Sequence, residues 1–255
     1  MRTVLGLLAL VAVLYAAACA ALFFFQRSLI YFPQPGSARP SAQLMKLPVA
    51  GGDVLVTVRP HAGSGAGALL YFGGNAEDVS HSLPSLAQAF PDRALYLLHY
   101  RGYGGSTGVP SEAALLEDAR ALFDRVQATH ADVAAMGRSL GTGVAVRLAV
   151  EKPVTRLILV TPYDSLQELA AQQFPLFPVR WLLRDKFESG LHAPRIAVPT
   201  LIVAASDDEI IPLASTERLH RRFAAGVATM KVIARTGHNS ISESPEYAAA
   251  LLARE

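Results

Sequence analysis

The chain has 255 residues, 51% of them apolar and 17% charged, with a formal net charge of +2. That composition supplies a large core for one α/β domain, and the dispersed basic residues argue against nucleic acid as a partner. Cys19 is the only cysteine, so no intrachain disulfide is available, and CxxC, HExxH and Gly-rich phosphate motifs are absent, so neither metal nor nucleotide cofactor is implied.

From Thr3 to Phe25 the chain carries no charge, and Arg2 and Arg27 flank the run. At about 1.5 Å per helical residue it spans a hydrocarbon core of roughly 30 Å. Residues 1–27 are therefore expected to form a transmembrane anchor. A cleaved signal peptide competes, with Ala16-Ala17-Ala18 as the small-residue site. Cleavage there would leave Cys19-Ala20-Ala21-Leu22-Phe23-Phe24-Phe25 as an apolar new terminus, which favours a retained segment. A short basic start to a first hydrophobic segment places the N-terminus inside and the rest of the chain outside, on the extracytoplasmic face.

Residues 28–51, rich in Pro, Gly and Ser from 33 onward, read as a linker and first ordered segment, and 52–255 as the body of the protein. Apolar runs of strand length lie near 53–59, 68–72, 94–99, 132–136, 156–161, 199–205 and 228–234. Helical patterns lie near 79–89, 111–129, 139–151, 213–226 and 243–254. In 111–129, Ala114, Leu115, Ala119, Leu122, Phe123 and Val126 share one face, behind a start at Pro110-Ser111. Residues 61–67 read as a flexible, hairpin-like loop. Alternating strands and helices imply a mostly parallel, doubly wound sheet. Residues 164–195 have no strand signal and read as a small cap. Its Phe174, Phe177, Trp181 and Phe187 either line an acyl pocket or pack the cap onto the sheet.

The most informative stretch is Gly137-Arg138-Ser139-Leu140-Gly141, a GxSxG between a strand and a helix. A serine on such a turn is exposed, and the helix N-terminus behind it favours developing negative charge. Serine needs a base, and the base needs an orienting acid. His238 follows the strand at 228–234, and Asp207-Asp208 follow the strand at 199–205. Asp208 is the favoured acid because Glu-Ile-Ile-Pro follows it; Asp207 is the alternative, with a turn or cap role open to either. His61, His81, His99, His130, His192 and His220 lack this context. The strand at 68–72 breaks at Gly73-Gly74-Asn75-Ala76, where the backbone N–H of Asn75 can join that of Leu140 as an oxyanion hole.

These motifs resemble those of the membrane-anchored α/β-hydrolase-domain serine hydrolases, the prolyl-peptidase-like or serine-aminopeptidase-like group. The resemblance rests on Gly-Gly-Asn-Ala at 73–76, Tyr100-Arg101-Gly102-Tyr103-Gly104-Gly105-Ser106 running on to Pro110-Ser111-Glu112, the serine turn, Asp208 to Pro212, and Gly237-His238-Asn239. The chain departs from that pattern where Gly73 replaces a loop histidine and where His99 replaces an aspartate. Arg101 is expected to brace loops or to meet substrate. The resemblance implies an α/β-hydrolase fold with a small cap, preceded by one hydrophobic helix. It also implies a serine hydrolase, cofactor-free, acting on a small-molecule or lipid-like acyl ester or thioester, or on an amide. A non-catalytic hydrolase-fold scaffold at the membrane is the alternative, and the intact Ser, Asp and His set argues against it.

Overall fold

The computed structural model describes residues 1–36, 43–61 and 67–252. Most of the loop expected at 61–67 lies outside the described residues. Eight strands form one sheet: β1 (Gln43–Val49), β2 (Gly52–Arg59), β3 (Gly67–Phe72), β4 (Arg93–Leu98), β5 (Val133–Arg138), β6 (Leu157–Val160), β7 (Thr200–Ala205) and β8 (Ala228–Ile233). Their order is β1-β2-β4-β3-β5-β6-β7-β8. The pairs β1–β2 and β2–β4 are antiparallel and all others are parallel.

Side chains alternate across a strand, so β3 feeds two cores. Leu70 and Phe72 join a cluster with Leu115, Leu122 and Phe123 of α3 (Glu112–Gln127) and Val144 of α4 (Leu140–Glu151). Leu69 and Tyr71 join the opposite cluster with Leu83 and Leu86 of α2 (Leu83–Ala89) and Leu251 of α9 (Pro245–Leu252). Helices thus cover both faces, as burial of a parallel sheet requires. The fold is that of the α/β hydrolases, with one apolar helix, α1 (Arg2–Ile30), ahead of it.

Three elements differ from the sequence reading. The stretch read as linker contains β1, whose Met45, Leu47 and Val49 turn inward while Leu44, Lys46 and Pro48 stay exposed. Pro48 fits because β1 is an edge strand. The helix expected over 79–89 begins as a 3₁₀ turn at Val79–Ser82. Pro84, which tolerates only the first turn of an α-helix, then starts α2. The helix expected over 213–226 stops early as α8 (Leu213–His220), and Gly226 takes a positive φ of 79° in the turn before β8.

Between β6 and β7 lies the cap: α5 (Leu166–Gln173), α6 (Val179–Leu182) and α7 (Ser189–His192). The C-terminal half of α1 runs along it. Tyr15 Oη donates to the Leu176 carbonyl at 2.8 Å, and its ring stacks on Phe177. Gln26 Nε2 donates to the Leu182 carbonyl at 3.1 Å, and its Oε1 accepts from Arg184 N at 2.7 Å. Arg27 pairs with Asp185 at 3.0 Å, and Tyr31 Oη donates to the same carboxylate.

Two residues around the loop after β4 acquire physical explanations: His99, which departs from the family pattern, and Arg101. His99 is buried, with its Nε2 2.8 Å from Thr57 Oγ1, and its carbonyl accepts from Ser106 Oγ. Burial lowers its pKa, against a weaker opposing pull from Asp78, so it serves as a neutral wedge between β2 and the loop after β4. Arg101 braces rather than meets substrate. It grips Asp118 of α3 through Nε at 2.9 Å and Nη2 at 2.6 Å, and the Asp118 side chain is fully buried. Removing one partner leaves the other charge uncompensated. We expect Arg101→Ala to lose on the order of 3 kcal/mol of stability, read from the urea unfolding midpoint in detergent. An unchanged midpoint would contradict the bracing role.

Candidate active site

The strand order reverses at β3, which pairs with β4 on one side and β5 on the other. In open α/β sheets, ligands bind in the crevice at such a switch point, beyond the carboxyl ends of the strands. The register fixes what stands there. Phe72 is opposite Gly137, so the Gly73–Asn75 loop and the Ser139 turn leave the sheet side by side.

Ser139 has φ 49° and ψ −119°, a left-handed conformation that a side chain disfavours. Its N–H donates to the Val160 carbonyl at 2.9 Å, and its carbonyl accepts from Thr142 N and Thr142 Oγ1. The two flanking glycines are required by space. A Cβ at Gly141 would strike the carbonyl of Phe72, and one at Gly137 would strike the backbone of Gly141. The turn therefore packs flat against the end of β3, with the Ser139 hydroxyl left on the open side.

Loops after β7 and β8 bring the other two expected residues to that hydroxyl. His238 Nε2 lies 2.9 Å from Ser139 Oγ, and His238 Nδ1 lies 2.9 Å from Asp208 Oδ2 and 3.1 Å from Oδ1. The His238 and Asp208 side chains are buried. Burial pushes the Asp208 carboxyl up. Hydrogen bonds from His238, Ile211 N and Ile210 N outweigh that and hold it below the ordinary aspartate range. Asp207 is exposed, and its N–H donates to the Thr236 carbonyl, which makes it part of the loop's frame. Glu209, whose place was not anticipated, accepts from His238 N at 3.0 Å and fixes the histidine's backbone.

Asn75 and Leu140 border the same cavity as Ser139. The Asn75 side chain is committed elsewhere: its Oδ1 accepts from Phe32 N at 3.0 Å, Ala76 N at 3.0 Å and Tyr103 Oη at 2.9 Å. Gly73 carries no side chain to brace this loop, and Glu77 does so instead. Its Oε2 accepts from Gly74 N at 2.6 Å and Arg138 Nη1 at 3.2 Å, and its Oε1 from Tyr71 and Ser82 hydroxyls at 2.7 Å. Arg138 continues the link to the Asn239 side chain at 3.1 Å and the His238 carbonyl. Glu77 and Arg138 thus join the loops after β3, β5 and β8. Sequence reasoning passed over both. The signal was a carboxylate five residues past the strand end and an arginine inside the GxSxG.

A cavity of about 510 Å³ opens beside Ser139. Its walls are mostly apolar. Phe174 and Phe177 of the cap line it, as an acyl pocket would need, but two other expected residues do not. Phe187 is 1% exposed and packs in the core against Gly143, and Trp181 is 88% exposed on the outside of the cap. Leu22, Gln26, Leu29 and Ile30 of α1 supply another wall. Their spacing puts them on one face of a helix.

No family model matches the chain. An uncharacterized protein of Mycobacterium tuberculosis strain CDC 1551 is 38% identical over 252 residues, covering 92% of this chain and 88% of its own length. The lysophosphatidylserine lipase ABHD12 of Macaca fascicularis is 34% identical over 143 residues, 48% of this chain and 35% of that protein, so the match spans about a third of the lipase. Among solved structures, the Pyrococcus furiosus esterase Pf2001 superposes with a TM-score of 0.67 at 14% identity, over 85% of this chain and 93% of that one. At that identity the likeness concerns the fold. The chain belongs to the same family as the mycobacterial protein and is built on the α/β-hydrolase fold.

Proposed function

We propose that the protein is a membrane-anchored serine hydrolase that cleaves carboxylic esters or thioesters through an acyl-enzyme. The observation that carries this reading is the continuous chain from Asp208 through His238 to Ser139 Oγ at the floor of an apolar cavity. Ser139 Oγ attacks the substrate carbonyl while His238 Nε2 takes its proton. Asp208 holds the Nδ1–H and stabilises the imidazolium that forms. The oxyanion is met by the backbone N–H groups of Leu140, at the start of α4, and of Asn75, whose side chain is occupied as a brace. The imidazolium then protonates the leaving oxygen or sulfur. Water, deprotonated by the same nitrogen, releases the carboxylic acid and restores Ser139.

An ester suits the site because the cavity offers apolar walls to an acyl chain. The likeness to a lysophosphatidylserine lipase over part of the chain supports an acyl ester of a lipid. The 29-residue helix α1, uncharged between Arg2 and Arg27, is long and apolar enough to serve as the anchor. Packing of Gln26 and Arg27 into the cap favours its retention, and the short basic start favours a hydrolase body on the outer side.

Ser139→Ala should lower turnover of p-nitrophenyl acetate by on the order of 10⁴-fold or more while the fold, followed by circular dichroism, persists. Retained turnover would remove Ser139 from the nucleophile's place. Asp208→Asn should be far more damaging than Asp207→Asn in the same assay, and the reverse order would put the acid at Asp207. The depressed Asp208 pKa also has a stability consequence. Its contribution is fully present above the unfolded aspartate value of about 3.9 and is lost as pH falls through the lower folded value. Acid unfolding curves of Asp208→Asn should therefore be flatter than wild type below about pH 4, and equal slopes would contradict that coupling.

A further inference from the structure

The cap tip and α1 together fix how deep the protein sits, given the reading of α1 as a membrane anchor. Arg2 is the only charged side chain before the apolar run, and among the described residues the hydrogen bonds and ring contacts of α1 with the body begin at Tyr15. From Arg2 to Tyr15 a helix rises only about 20 Å, whereas a hydrocarbon core is about 30 Å thick. The missing length, roughly 10 Å, reaches past Tyr15 to about Leu22, and tilting the helix extends it further. Over those turns the cap packs along one side of α1. The chain from Leu176 to Asp185 runs alongside it, from Tyr15 opposite Leu176 to Gln26 opposite Leu182 and Arg27 opposite Asp185.

The surface of this stretch matches such a position. Leu176 is 80% exposed, Trp181 88% and Phe174 42%, a density of bare large apolar groups that a water-facing cap does not carry. The polar groups on the α1 side are satisfied internally: the Tyr15 hydroxyl and both ends of the Gln26 amide are hydrogen-bonded. That is a requirement at membrane depth. On α1 the next charge is Arg27, five residues past Leu22. On the cap, Arg180, 66% exposed and paired with Glu168, stands beside Trp181, so that end of the tip lies at the interface together with Arg184 and Asp185.

We propose that the tip of the cap, Phe174 to Trp181, is immersed in the outer leaflet. The cavity of Ser139 then opens into the acyl-chain layer between α1 and the cap. Leu22 lines the cavity on the α1 side at that depth, with Phe174 and Phe177 of the cap. An acyl chain passes from the leaflet to Ser139 without crossing water, so the substrate class is a membrane-resident lipid ester. The α1 helix is then one wall of the substrate path as well as a tether.

Trp181 is the only tryptophan, so the native protein carries its own depth probe. Full-length protein is reconstituted into phosphatidylcholine vesicles, floated on a density gradient, and its emission measured with quenchers. Phosphatidylcholine brominated in the upper part of its acyl chains should reduce Trp181 emission by about twofold or more, while aqueous acrylamide has little effect, as for a residue of the interfacial aromatic belt. Flotation together with quenching by acrylamide and none by the brominated lipid overturns the immersion and leaves the anchor standing. Failure to float overturns the anchor reading and the immersion with it. In a second measurement, the double variant Leu176→Asp/Trp181→Asp should lower the ratio of vesicle-borne p-nitrophenyl dodecanoate turnover to p-nitrophenyl acetate turnover by about tenfold or more. An unchanged ratio overturns the proposed path. Hydrolysis of neither ester by wild-type protein instead overturns the hydrolase reading, which flotation and quenching do not touch.

Discussion

The close approach of the Ser139 turn to the end of β3 is the constraint on which the site depends. Gly137 and Gly141 have no Cβ because the carbonyl of Phe72 and the backbone of the turn itself occupy that space. The contact forces Ser139 into a positive φ and lifts its hydroxyl off the sheet. It also sets the Gly73–Asn75 loop, which leaves the sheet from Phe72, beside the first turn of α4. One packing contact therefore determines where a nucleophile would stand and where an oxyanion would have to lie. Such strain persists only when the surroundings over-determine it. Here the parallel pairing of β3, β5 and β6 and two cores on opposite faces of the sheet do so.

Around that contact, polar groups are spent on holding loops. Glu77 takes four donors from three parts of the chain, and Arg138 passes the connection to the loop that carries His238. Glu209 secures His238 from the other side. Asn75 ties its own loop to Tyr103 and to Phe32, just past the end of α1. The hydrogen bonds that position the site thus reach the residues that follow α1, and the cavity wall formed by Leu22, Gln26, Leu29 and Ile30 connects α1 itself to the site through packing.

Much of this was legible in the sequence, for identifiable reasons. The parallel strands β3, β5, β6 and β7 are buried on both faces, and they and the half-exposed edge strand β8 read as runs of strand length. Ser139, Asp208 and His238 each follow such a run, so their place at one sheet edge followed from order alone. β1 was lost because an edge strand with one inward face offers only Met45, Leu47 and Val49, interrupted by Pro48. Glu77 and Arg138 were passed over because their meaning lies in a contact 61 residues apart, which no local pattern encodes. Trp181 and Phe187 were both read as pocket or packing aromatics. Composition does not say which way a ring in the cap turns, and Trp181 of α6 lies outside while Phe187, between α6 and α7, is in the core. The α1 wall was hidden for a different reason. Leu22, Leu29 and Ile30, in and just past an apolar run, have no contrast against their neighbours, and the polar Gln26 among them interrupts the stripe.

The central claim is that Ser139 is a nucleophile activated by His238. The direct measurement is covalent modification of full-length protein with a long-chain fluorophosphonate, followed by intact mass and peptide mapping. The account predicts a single adduct on Ser139 in wild-type protein and its loss in His238→Ala, whose serine is present but has no base. An unmodified Ser139, or equal modification in the presence and absence of His238, would contradict it.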